Sequence, residues 1–173
     1  MIESDILCQI RYATAIVQDV PAVLSKLRTI AGQTRSRIVC FDAEKLAGRK
    51  HAQAALYHAQ RSCSSGCAIS NSFEMEALLY AAGTRQCSVA VSFGLHVGKN
   101  NLFVCCYPAP QGVWDRLAGI LQFCNDPGDI ITSEKAVNLA NLFGISPEEL
   151  AVTGKDRIKD LVLERVALLN VSK

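Results

Sequence analysis

The chain has 173 residues, half of them apolar and a fifth charged, with a formal net charge of +2. That balance excludes a disordered polyelectrolyte and suits one domain with a core of its own. It gives no general affinity for nucleic acid, and apolar runs such as 102–107 are too short to span a bilayer.

The opening MIESDILCQI carries two acids and no base before its short apolar run, so it reads as neither a signal nor a transit peptide. A soluble cytoplasmic protein is expected. Its eight cysteines are then expected to be reduced, with Cys8, Cys40, Cys87, Cys105, Cys106 and Cys124 acting as small apolar residues. Cys8, Ile10, Tyr12, Thr14 and Ile16 alternate with Gln9, Arg11 and Ala13, which predicts a half-buried strand. Val20, Val23, Leu24, Leu27, Ile30 and Ala31 repeat at helical spacing, with Pro21 near the start and Gly32 near the end. The run 38–41 predicts a central strand, and Asp42 a cap for a short turn ending at Gly48.

A helix is expected over 49–62, broken by Ser64, Ser65 and Gly66. The next helix, over Phe73 to Ala82, is apolar almost all round and so belongs in the interior. Asn71 with Glu74 resembles a capping box, and Gly83 suits a left-handed helix end. Thr84 can cap a further helix through about Phe93. The run 102–107 predicts a buried strand, followed by a helix carrying Val113, Leu117, Ile120 and Leu121. Helices are expected over 133–143, from Ser146-Pro147 onward, and over about 155–170. The whole predicts a single α+β domain over 1–173: a small, mostly antiparallel sheet of three to four strands packed with six to eight helices.

Enzyme signatures are absent. There is no GxGxxG, HExxH or GxSxG, and Gly154-Lys155 lacks the rest of a phosphate loop. His58, Cys63 and Cys67 have tolerable zinc spacing but no fourth ligand, so no metal and no cofactor are expected. His51, His58 and His96 are scattered and form no triad. Between Arg35 and Arg61 six basic residues stand against two acids, either a local phosphate-binding surface or an ordinary solvated face. The turn Gly83-Thr84-Arg85-Gln86 precedes a new helix, and Arg85 there offers a forked donor. It reads as an anion site or as a plain left-handed turn. In the last helix Ile158, Leu161, Val162, Val166 and Leu169 form one apolar stripe, and Leu163, Ala167 and Leu168 a second. That second stripe can meet a partner or tuck under the chain's own loops.

NSFEMEALLYAAGTRQCSVA, at 71–90, with its pattern E-x-L-L-Y-x-x-G-x-R-Q, resembles the PRPK-binding family, the small kinase-binding subunits of the KEOPS complex. ERVALLNV, at 164–171, resembles that family's final helix. The resemblance implies a non-catalytic, regulatory subunit, with an archaeal origin, of a complex that installs threonylcarbamoyladenosine on tRNA. It implies two partners: the kinase-like ATPase subunit and the single-stranded 3′ CCA end of tRNA. The matched motif puts Gly83, Thr84, Arg85, Gln86, Asn71 and Ser72 at the tRNA. Arg49 and Lys50 join them on charge, and His51 and Tyr80 on hydrogen-bonding or stacking capacity. Leu163, Val166 and Leu168 are expected to face the kinase. The competing expectations are a binder of phosphorylated small molecules using the same turn, and a kinase adaptor that never meets RNA.

Overall fold

The computed structural model describes residues 8–127, 131–154 and 157–171. Four strands, β1 (Gln9–Val17), β2 (Arg37–Asp42), β3 (Gly98–Tyr107) and β4 (Gln122–Phe123), form one antiparallel sheet in the order β2-β3-β1-β4. Eight α-helices are found among the described residues: α1 (Val20–Thr34), α2 (Arg49–Ser64), α3 (Phe73–Ala82), α4 (Cys87–Ala90), α5 (Val113–Leu117), α6 (Ser133–Phe143), α7 (Pro147–Thr153) and α8 (Ile158–Val171). The α+β expectation holds.

Alternation along the strands divides the core between the two faces of the sheet. Ile10, Val39, Phe41, Phe103 and Cys105 face the larger layer, built from α2, α3, α6 and α8. Ala13, Val17, Ile38, Cys40, Leu102 and Val104 face a smaller layer of α1 and α5. β1 is therefore covered on both sides, not on one. Ala13 and Val17 are buried, while Ile16, expected inward, is 82% exposed.

Several boundaries differ from expectation for local reasons. α1 runs past Gly32 and ends where Arg35 takes left-handed backbone (φ 52°), with the Ser36 N–H returning to Ala31 O at 3.0 Å. α3 starts one residue late for the Asn71 capping box. Ser72 is the N-cap, its hydroxyl accepting from Met75 N at 3.1 Å, so no acid stands in reciprocal position. The helix expected after Thr84 shrinks to α4 and a 3-10 turn over Val91–Phe93, and its N-cap is Gln86. α5 stops at Leu117, before Ile120 and Leu121. Of the cysteines expected to be interior, Cys87 and Cys124 are exposed, and all eight are free thiols. Lys155 and Asp156, expected to open the last helix, lie outside the described residues.

Candidate functional site

The E-x-L-L-Y-x-x-G-x-R-Q segment is the hub joining α2, α3 and α8. Glu76 has no exposed surface, and its carboxylate accepts from Ser62 Oγ at 2.8 Å, from Ile69 N at 3.0 Å and from Ser70 N at 2.9 Å. A buried carboxylate needs such donors, and these fasten the serine-rich loop between α2 and α3. One turn on, Tyr80 is fully buried and donates through its hydroxyl to Asn170 Oδ1 of α8 at 2.6 Å. His58 of α2 stacks on the Tyr80 ring, 5.3 Å between centroids, and meets Asn170 Nδ2 at 2.6 Å. Tyr80 therefore clamps three helices and presents no face to a base.

At the end of α3, Gly83 takes left-handed backbone (φ 64°), and the Thr84 N–H bonds to Leu79 O at 3.1 Å. The Gln86 N–H is taken by Thr84 Oγ1 at 3.1 Å. With those amides used, and α4 only four residues long, the helix-terminus anion site expected here lacks its helix. What the turn does present is side chains: Arg85 and Gln86 are exposed, and Thr84 is half-buried. The turn borders a hollow of about 400 Å³ walled by Val89, Leu142, Arg165 and Leu168. Arg165 is held there by an ion pair with Glu149 of α7, 2.8 Å from Nη2 to Oε2.

α2 and α3 run antiparallel, as two contacts at opposite ends require: His51 to Ala81, and Ser62 to Glu76. His51 is fully buried. Its Nδ1 accepts from the Ala47 N–H at 2.9 Å, which leaves the proton on Nε2 to be donated to Ala81 O at 2.8 Å. Burial pushes its pKa down to about 4, against the partly compensating bond to Ala81, so the ring is neutral. It supports the turn from beneath and cannot touch a ligand above it. Exposed Lys50, its chain neighbour, shares the same end of the helix pair. Arg49 is committed elsewhere, paired with Asp126 at 2.9 Å and donating to Ile10 O. Asn71 and Ser72 are exposed at the far end of α3, about 15 Å away at 1.5 Å per residue, and are not gathered with the turn.

The basic stretch does not form one surface. Arg37 lies over the Phe73 ring at 4.5 Å and donates to Gln60, Arg61 lies over Tyr57 at 5.6 Å, and Lys45 donates to Ser92 O. The kinase-facing set also divides. Val166 is buried and belongs to the first stripe of α8, Leu163 is half-buried, and Leu168 is 48% exposed. Val166 is therefore not available to a partner, and its inclusion in the kinase-facing set is corrected. Cys67 is exposed and bonds to Ser65 O, and among the described residues no group of three His, Cys, Asp or Glu, His58, Cys63 and Cys67 included, could hold a metal. No helix among them is long and apolar enough to cross a membrane.

Glu76, the residue most responsible for the shape of this region, was visible only as a letter of the motif. A carboxylate in an apolar helix is the signal that could have found it. A search of curated proteins returns no match. The family described as kinase binding protein CGI-121 matches residues 15–170. With nearly the whole chain matched, and its motif forming the structural hub, the chain belongs to the CGI-121 kinase-binding family, that of the small regulatory subunit of KEOPS.

Proposed function

We propose that the chain is the non-catalytic KEOPS subunit that binds the kinase-like ATPase and recruits tRNA by its single-stranded 3′ CCA end, for threonylcarbamoyladenosine synthesis. The observation that carries the reading is the Gly83–Gln86 turn, which exposes Arg85 and Gln86, is supported by buried His51 and opens on the 400 Å³ hollow. Arg85 supplies a forked donor for phosphate, and Gln86 and Lys50 add polar reach from the same end of the helix pair. A single strand needs such exposed donors beside surfaces its bases can lie against, and Val89, Leu142 and Leu168 offer aliphatic ones. In this reading His51 and Tyr80 serve the site from behind, and Arg49, held by Asp126 and Ile10, stands apart from it with Asn71 and Ser72. His51 is fully buried with both ring nitrogens bonded, to the Ala47 N–H and to Ala81 O, which disfavours a small-molecule site built on that histidine.

The test is tRNA binding with and without the terminal CCA. Trimming the CCA weakens binding, and added salt weakens it further. Arg85→Glu lowers affinity by at least about tenfold while the fold, followed by circular dichroism, is unchanged. Equal affinity for intact and trimmed tRNA sinks the CCA reading. Copurification of the kinase with no tRNA shift at all leaves the pure adaptor.

A further inference from the structure

We infer that Arg165 of α8 is a second phosphate ligand of the single-strand site, and that Glu149 is a resident carboxylate with which the phosphate competes. The inference rests on the tRNA reading above and adds to it two residues that lie outside the turn.

Among the described residues that wall the 400 Å³ hollow, Arg165 alone is charged, and Arg85 is not one of them. Val89, Leu142, Phe143, Leu168 and Leu169 make most of the rest apolar. An anion entering the hollow therefore has one cation to meet there, with little polar surface to compete for it. The turn and Arg165 also adjoin through their backbones. A Cβ built on Gly83 would lie 3.5 Å from the Arg165 carbonyl oxygen. A strand held at Arg85, two residues beyond Gly83, thus has Arg165 close beside it.

The pair with Glu149 leaves the guanidinium incompletely used. Both carboxylate oxygens accept from Nη2, at 3.0 and 2.8 Å. Among the described residues Nε and Nη1 have no acceptor. Arginine grips an oxyanion with two N–H groups along one edge, either Nε with Nη2 or Nη1 with Nη2. Both edges include the nitrogen that Glu149 occupies, so a phosphate reaches two N–H groups only by sharing or displacing that carboxylate. Displacement costs little. A quarter of the Arg165 side chain and a third of Glu149 are exposed, and an ion pair so open to water contributes little to the fold. Glu149 also stands on α7, which has no buried residue, so it can yield without opening the core.

The experiment titrates the full chain with intact tRNA and with tRNA trimmed of its CCA, over a range of salt concentrations, and checks each variant by thermal melt. Arg165→Gln lowers affinity for intact tRNA by about tenfold and reduces the slope of log affinity against log salt by about 0.7, the share of one phosphate on a single strand. Arg165→Lys restores the slope but only part of the affinity, since the charge returns without the fork. Glu149→Gln keeps an acceptor for Nη2, removes the competing charge and raises affinity by about threefold. A merely structural pair predicts the opposite sign for Glu149→Gln, and that result overturns the inference. So does an Arg165→Gln variant that keeps the wild-type salt slope, whether its affinity falls or not. If that variant instead loses the kinase in a pull-down and keeps tRNA, Arg165 belongs to the protein interface and the inference falls while the CCA reading stands. Equal wild-type binding of intact and trimmed tRNA, with the slope still lowered in Arg165→Gln, sinks the CCA reading and leaves the phosphate contact. No tRNA binding at all overturns both.

Discussion

A neutral imidazole sealed between Ala47 and Ala81 makes the turn of this protein sensitive to acid. His51 has a folded pKa of about 4 against an ordinary value of 6.5, so below 6.5 the unfolded chain binds a proton that the folded chain refuses. Stability is full above that value and falls as pH drops toward 4, by about 3 kcal/mol from this residue. Urea melts across that window check it, and His51→Ala should flatten the slope while lowering stability throughout. Glu76 acts differently, through hydrogen bonds. Glu76→Ala strands the Ile69 and Ser70 amides and the Ser62 hydroxyl, for a loss of about 3 kcal/mol, with hydrogen exchange rising first in the loop over 65–72.

Among the elements, α8 is the one whose attachment bears most on function. Its inner stripe, from Ile158 to Leu169, is buried, and Tyr80 secures its last turn through Asn170. Tyr80→Phe keeps the ring stack with His58 and deletes that bond. About 1 kcal/mol should go, with faster amide exchange confined to the end of α8. A loss spread evenly over the core would show that Asn170 contributes nothing specific. The helix pattern of α8 was legible in the sequence, as was the N-cap and proline start of α7. The collapse of the helix after Thr84 was not, because its length is set by how Val91–Phe93 packs beside α3, not by its own propensities.

For the whole molecule, the turn proposed for tRNA and Leu168, expected at the kinase, border one hollow. The two proposed surfaces therefore adjoin. Leu168→Asp, at a position already half exposed, should leave the fold intact and weaken kinase copurification by about tenfold or more. If that variant keeps the kinase and loses tRNA alone, Leu168 belongs to the tRNA surface, and the kinase meets another face. The test is a pull-down and a tRNA shift on the same preparation.

The sequence by itself determined the family, the α+β class and most element positions, because these rest on periodicity, caps and a motif written in consecutive residues. It also marked the Gly83 turn, since a left-handed helix end depends on one residue type. Only the tertiary structure decided which motif residues are supports. Tyr80, His51 and Val166 are as polar or as apolar as exposed counterparts would be, and their burial comes from helices distant in the chain closing over them. The same closure distributed the arginines to separate partners. Such features depend on the packing of whole elements, which no local pattern of residues encodes.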